Sequence, residues 1–217
     1  MADVGEVVLA AGGESDAMST TDHTTVAAHA TRRADRRDLP ALSETLAAAF
    51  HDDPVFRWWI ADGGRRRQIV PAFFGVIVDA HLTAGEVHAT HDLASVAVWA
   101  APDAAEDEAL PGAIAEAVAE HADRAFEIFE RLAEQHPAES HWYLPFAGTR
   151  PGRQSRGLGS AVMRPVLDAC DAAGMPAYLE ATSEQSARLY ARHGFEVVGE
   201  IRLPDGPSLR PMWREAR

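Results

Sequence analysis

Eleven consecutive residues, Arg150-Pro151-Gly152-Arg153-Gln154-Ser155-Arg156-Gly157-Leu158-Gly159-Ser160, constrain this chain more than any other stretch. Three arginines and three glycines stand directly ahead of an apolar helical run. Glycine tolerates positive φ and lets a ligand approach the main chain closely. Successive N–H groups then converge on one hollow at the positive end of the helix dipole. Arginine suits such a hollow to phosphate, so the stretch predicts an anion site. It lacks the Gly-Lys-Ser/Thr of a Walker A loop. Gly157-Leu158-Gly159 begins a dinucleotide fingerprint, but Val162 stands where the third small residue belongs, which argues against a nucleotide-dependent oxidoreductase.

The rest of the composition fits one soluble domain. A chain of 217 residues, 47% hydrophobic and 24% charged, can bury a sizeable core. Its net charge of −13 disfavours nucleic acid or an anionic membrane as a partner and mildly favours a cationic substrate. A single cysteine, Cys170, excludes internal disulfides, fits the cytoplasm and falls on an apolar helical face as packing. No apolar run reaches the ~20 residues of a membrane span, and the N-terminus lacks a signal pattern. Residues 1–30 lack periodicity and read as a disordered extension, leaving one domain over 31–217. The ten histidines show no metal-site spacing, so no metal is expected.

Read in order, Ala30 to Asp38 is a lead-in or short first strand, with Asp38 placed as an N-cap. Leu39, Leu42, Leu46, Ala49 and Phe50 fall on one helical face, which His51-Asp52-Asp53-Pro54 ends. The aromatic stretch Phe56 to Ile60 follows, where Trp58 and Trp59 are candidates to line a ligand pocket and also ordinary core residues. A second helix is predicted from Arg65 to about Leu82. Strands are predicted at Gly85–Ala89 and Ser95–Ala100. A single long acidic helix is predicted from about Glu106 to Gln135, either covering the acceptor site or packing a partner subunit. Ser140 to Thr149 is a strand made irregular by Pro145 and Gly148, which predicts a bulge or splayed edge. The helix after the glycines runs to Gly174, and Ala177–Ala181 is a strand. Thr182 or Ser183 caps the next helix, with Thr182 and Gln185 matching a capping box. A final hairpin pairs Phe195–Ile201 with Ser208–Trp213. The order of elements predicts a mixed α/β sheet.

Gln154-Ser155-Arg156-Gly157-Leu158-Gly159 resembles the pyrophosphate loop of the GCN5-related N-acetyltransferases (GNAT). Tyr190-Ala191-Arg192-His193-Gly194-Phe195 resembles that family's Tyr-x-x-x-Gly-Phe segment, and the irregular strand and the strand at Glu180 stand in the family's order. Leu46–Phe50, Ser95–Trp99, Gly157–Val162 and Pro176–Glu180 are similar to the puromycin N-acetyltransferase branch, although Phe56 to Ile60 is not. The resemblance implies a GNAT-like fold with a splayed central strand pair. It implies acetyl-CoA as co-substrate and a small-molecule primary amine as acceptor, such as an antibiotic or xenobiotic amine. It also implies that Arg153, Gln154, Ser155, Arg156, Gly157, Leu158, Gly159 and Ser160 hold the pyrophosphate. The backbone of Phe146, Ala147, Gly148 and Thr149 would pair with the pantetheine arm. Tyr190 would protonate the leaving thiolate. Ser186 stands where many members place an Asn against the pantetheine.

Direct acyl transfer also needs a base, because an alkyl amine titrates near ~10. Glu180 is the first choice, or else a structural carboxylate; Asp53, Glu139 and His141 follow. Asp53, Trp58 and Trp59 are the substrate-side candidates, and the net charge with the paired tryptophans points to an aromatic, cationic acceptor. No Cys/His or Ser/His/Asp arrangement supports a covalent intermediate. Two other readings share the fold: a non-catalytic acyl-CoA-binding sensor or regulatory module, and a protein N-terminal or lysine acetyltransferase. Either a monomer or a homodimer is compatible with the sequence.

Overall fold

The computed structural model describes residues 30–102, 104 and 107–217; almost all of the expected N-terminal extension, 1–29, lies outside them. The strands are β1 (Thr31–Arg33), β2 (Glu86–Thr90), β3 (Ser95–Ala100), β4 (Trp142–Thr149), β5 (Ala177–Ala181), β6 (Glu196–Val197), β7 (Ile201–Arg202) and β8 (Ser208–Arg214). The helices are α1 (Leu39–Phe50), α2 (Pro54–Trp59), α3 (Gly63–Ala84), α4 (Leu110–Val118), α5 (Ala122–Ala133), α6 (Leu158–Ala173) and α7 (Glu184–Arg192). The sheet runs β1-β2-β3-β4-β5-β8-β6, with β7 on β8, and every pairing is antiparallel except β4 with β5. The mixed α/β sheet expected from the sequence is therefore the fold.

Strand alternation divides the core into two layers. Val96 and Val98 of β3 join one cluster with Leu42, Phe56, Phe74, Ile114 and Ile128 from α1 to α5. Ala97 and Trp99 face the other way and join Val162, Met163 and Cys170 of α6 and Tyr190 of α7. Cys170 is buried there, and burial pushes its thiol up to about 11, as befits a packing residue.

The central feature is where β4 and β5 part. They pair only at Trp142↔Ala177 and Tyr143↔Tyr178. The cause is visible in the register of β4 on β3. Val98 faces Phe146 and Ala100 faces Tyr143, so Trp99 alone opposes Leu144 and Pro145. This is a one-residue bulge at the proline, which cannot donate to a ladder. Beyond it, the second edge of β4 has no strand partner among the described residues.

Four local expectations are corrected. Asp38 does not cap α1 with its side chain. It takes the Arg32 guanidinium at 2.6 and 2.7 Å and the Asp35 N–H at 3.0 Å, while Asp35 caps the preceding 3-10 turn. The single helix expected over 106–135 is two helices. They are divided at Ala119, whose φ of 46° no α-helix can contain. The turn presents the His121 carbonyl to the Trp59 indole N–H at 2.9 Å. The cap of α7 is Ser183, in a reciprocal box with Ser186 rather than Thr182 with Gln185, because Thr182 is turned toward Asp53. The first strand of the final hairpin is interrupted between β6 and β7.

Candidate active site

A cavity of about 1240 Å³ passes through the gap between β4 and β5. One end is built from main chain. Gly152, Ser155 and Gly157 have φ of 79°, 60° and 78°, so the loop coils left-handed just before α6. Gly157 is the N-cap of α6 and supplies no side chain to it. The first α6 N–H bonded within the helix is that of Ala161, to the Gly157 carbonyl at 3.0 Å. The N–H groups of Leu158, Gly159 and Ser160 are thus the helix's unsatisfied donors, which is an anion-binding arrangement.

Side chains brace this loop from behind. Arg150 Nε donates to Thr45 Oγ1 at 2.7 Å, Arg153 pairs with Asp92 at 2.5 Å, and Gln154 Nε2 donates to the Thr149 carbonyl at 3.2 Å. Arg153, Gln154, Ser155, Gly157, Leu158, Gly159 and Ser160 all line the cavity, as do Phe146, Ala147, Gly148 and Thr149 of β4; Arg156 is not among the lining residues. Gly148 has a packing reason as well. A Cβ there would come within 2.9 Å of the Ala49 Cβ and 3.1 Å of Leu46 Cδ2, so α1 lies flat against β4 only over a glycine.

The other end is built from side chains. Ala177, Leu179 and Ala181 belong to the α6–α7 layer, so Tyr178 and Glu180 point to the opposite face. The Tyr143 hydroxyl donates to Glu180 Oε2 at 2.9 Å, while Glu180 Oε1 and the Tyr178 hydroxyl are buried with no hydrogen-bond partner among the described residues. Burial lifts the Glu180 carboxyl from 4.5 to about 7, against the opposing pull of the Tyr143 hydrogen bond. Tyr143 itself is pushed well above its usual value by burial and by the Glu180 charge, so it stays a donor. His136 packs edge-on to both tyrosine rings, at 4.9 and 5.1 Å between centroids.

Tyr190 reaches the cavity from α7, on the other face of the sheet. Its phenol is raised by burial and then by the nearby Asp53 charge, so it remains protonated across the physiological range. Asp53 also lines the cavity, but its oxygens are engaged. Oδ1 accepts from the N–H groups of Val55 and Phe56 at 2.9 and 3.4 Å, and Oδ2 accepts from Thr182. It caps α2 and ties α2 to the β5–α7 turn. Ser186 lines the cavity with a hydroxyl that already donates to the Ser183 carbonyl at 2.9 Å. Trp59 is a buried wall residue, and Trp58 lies away from the cavity, its indole N–H on the Pro204 carbonyl at 3.2 Å under the Arg124 guanidinium.

Sequence reasoning missed Tyr143, while α4 and α5, which wall the cavity, lie in the stretch 106–135 for which covering the acceptor site was one of two alternatives. Tyr143 carried a usable signal: its strand runs beside the Glu180 strand, and a phenol is a natural donor to a buried carboxylate. Among the described residues, no group of three or more His, Cys, Asp or Glu is arranged to hold a metal, and no helix is long and apolar enough to cross a membrane.

The mixed sheet split at a parallel pair, with a glycine loop opening a helix beside the split, is similar to the fold of known acetyltransferases. Residues 104–195 match the model of the Acetyltransferase (GNAT) family. An uncharacterized N-acetyltransferase of Schizosaccharomyces pombe is 25% identical over 190 residues, covering 80% of this chain and 77% of that protein. A Corynebacterium glutamicum structure described as "histone acetyltransferase HPA2 and related acetyltransferase" is 27% identical with a TM-score of 0.66, over 86% of this chain and 96% of its own. Arylalkylamine N-acetyltransferase 2 of Aedes aegypti shares the fold at 13% identity and a TM-score of 0.57, over 87% and 99% of the two chains. Polyamine N-acetyltransferase of Drosophila melanogaster does so at 16% and 0.56, over 86% and 99%. Residues 104–195 are thus similar to the acetyltransferases of the GNAT family, and the described fold is that of its solved members.

Proposed function

We propose that this domain transfers acetyl from acetyl-CoA to the primary amine of a small molecule in the cytoplasm. The observation that carries this reading is the single cavity that joins the α6 N-terminus, the unpaired edge of β4, Tyr190 and Glu180. The residues present fit a CoA thioester. The free N–H groups of Leu158, Gly159 and Ser160 and the left-handed loop from Arg153 suit a pyrophosphate. The open edge of β4 from Phe146 to Thr149 offers main-chain groups to an extended amide-bearing arm.

Acetyl-CoA supplies the activated acetyl group. Glu180 Oε1, free and close to half-ionised near neutrality, accepts the proton of the incoming ammonium. A β4 N–H near Phe146 or Ala147 stabilises the oxyanion. Tyr190 gives its proton to the sulfur as it leaves and regains one from the newly attached nitrogen, a role suited to a phenol that is protonated at working pH.

Thiol release from acetyl-CoA, measured with a panel of amines that includes puromycin, tests the reading. We expect release that depends on one class of amine and falls about 10²-fold or more in Tyr190→Phe. Acetylation of protein N-termini or lysines with none on small amines would sink the small-molecule half. A non-catalytic CoA-binding module is the second reading. The Ser186 hydroxyl, spent on the α7 cap rather than free for a ligand, favours it. CoA binding with no amine-dependent release would decide for that module.

A further inference from the structure

We propose that His193 is a positioning residue for the cofactor end of the cavity: its Nε2 donates to the Ser160 hydroxyl and leaves that hydroxyl's own proton free for a pyrophosphate oxygen. The proposal rests on the reading that the α6 N-terminus receives the pyrophosphate of CoA. It adds one side chain to a site that is otherwise main chain.

Ser160 lies in the first turn of α6 and lines the cavity. A short hydroxyl in that turn readily bends back onto nearby main chain. Ser183 and Ser186 do so at the start of α7, where each side chain accepts the other's N–H. The Ser160 hydroxyl is placed differently. Gly157 gives α6 no side-chain cap, and Ser160 Oγ lies 2.8 Å from Nε2 of His193, the residue that closes α7. His193 does not line the cavity, so anything it does for a ligand it does through Ser160.

The direction of that bond decides what Ser160 offers. A hydroxyl has a single proton. Given to His193, it leaves only lone pairs turned to the cavity, which repel an anion. Donation from His193 instead frees the hydroxyl proton to join the N–H groups of Leu158, Gly159 and Ser160. Burial, and then Arg164 of α6, Arg192 of α7 and Arg214 of β8, lower the His193 pKa. The ring is therefore neutral at pH 7, and a proton on Nε2 is a choice of tautomer. The fold holds the histidine in place for this task. Its N–H is on the Tyr190 carbonyl at 2.9 Å, and its carbonyl receives Arg214 Nε at 2.8 Å. Arg214 in turn grips Asp171 of α6 at 2.7 and 2.8 Å. Hydrogen bonds from α7 and β8, and through Arg214 to α6, thus set His193 against Ser160, and the same turn of α7 carries Tyr190.

The test is calorimetric binding of CoA and of dephospho-CoA, which keeps the pyrophosphate and lacks the ribose phosphate. The proteins are wild type, Ser160→Ala, His193→Leu, His193→Gln and the double variant of Ser160→Ala with His193→Leu, each with a thermal melt. Gln brings an amide donor close to the place of Nε2, whereas Leu fills similar space with none. Ser160→Ala and His193→Leu should each weaken both ligands about tenfold. The double variant should bind within about threefold of the weaker single one. His193→Gln should stay within about threefold of wild type. His193→Leu binding as tightly as wild type would overturn the proposal. So would a folded His193→Gln as weak as Leu, because the ring would then act by shape, and so would additive losses in the double variant. A loss confined to CoA would assign the pair to the ribose phosphate and overturn it as well. In each of these cases wild type still binds CoA and the transferase reading stands. A wild type that binds neither ligand would remove that reading, and this proposal with it.

Discussion

The two ends of the cavity are made of different material. At the loop end the working groups are main-chain N–H donors, presented by left-handed residues at 152, 155 and 157 and by an uncapped helix. At the far end they are side chains: a carboxylate on β5, a phenol on β4, rings from α1, α5 and β4, and the aliphatic chains of α4. Main-chain sites are fixed by backbone conformation and tolerate most side-chain changes, whereas side-chain sites fail one residue at a time. The two ends should therefore respond to different mutations with different readouts.

The largest effect should come from Glu180→Gln. Loss of the base should cut kcat/KM by about 10²–10³ and remove the rise in rate as pH climbs through about 7. The same substitution should stabilise the fold near neutrality. The folded carboxyl titrates near 7 and the unfolded one near 4.5, so between these values the unfolded chain has released a proton that the folded chain keeps. Stability therefore falls as pH rises through that window. Gln should flatten the slope and, if about 1 kcal/mol is relieved at pH 8, raise Tm by about 2–4 °C. An active variant with an unchanged pH profile would show that Glu180 is only a structural carboxylate.

Gly157→Val attacks the other end. A β-branched residue at a φ of 78° costs about 1–3 kcal/mol, so CoA affinity by calorimetry should weaken roughly 5- to 150-fold. An unchanged Kd would mean that the main chain there does not hold the cofactor.

How much of this was legible in the sequence follows the same division. The loop end is local: Arg153 to Ser160 is contiguous, and its glycines and arginines stand directly ahead of an apolar helical run. The bulge of β4 was equally readable, because Pro145 and Gly148 lie within the strand. The far end assembles residues distant in the chain: the order of their strands is the one hint that joins Tyr143 to Glu180, and no spacing brings Phe126 and Phe129 to Phe50. Local patterns also misled where two solutions shared a signature. Thr182 and Ser183 are both good caps, and only the position of Asp53 decides between them. The stripe from Leu110 to Leu132 suits one long helix, and the break at Ala119 arises without a glycine or proline to announce it. The adjacent tryptophans read alike in sequence, yet Trp59 is a wall and Trp58 packs outside.

Tyr143→Phe should have a moderate effect confined to the pH profile. The phenol's bond to Glu180 Oε2 favours the ionised carboxyl, and a charged hydrogen bond at the lower end of its range contributes about 1.5 kcal/mol. Without it the carboxyl should titrate above 7, moving the acidic limb of kcat/KM upward by about one pH unit. At pH 7 that is a loss of up to about tenfold, recovered at pH 9. A uniform loss at every pH would instead assign Tyr143 a direct contact with substrate.

The smallest effect on activity should come from Asp53, which lines the cavity with both oxygens already engaged. Its Oδ1 holds the first N–H groups of α2, and its Oδ2 holds Thr182. Asp53→Ala should cost about 1–2 kcal/mol of stability through the lost cap, a fall in Tm of about 2–8 °C. Asp53→Asn keeps an acceptor for the helix and should restore most of that loss. If Asp53 instead received the substrate ammonium, neutral Asn would not rescue the amine KM, and both variants would raise it about tenfold or more at temperatures where they are fully folded. Thermal melts beside amine KM values for the two variants separate these outcomes. Stability lost in Ala, regained in Asn, and a KM within about threefold of wild type would place Asp53 among the groups that set the spacing between α2 and the β5–α7 turn.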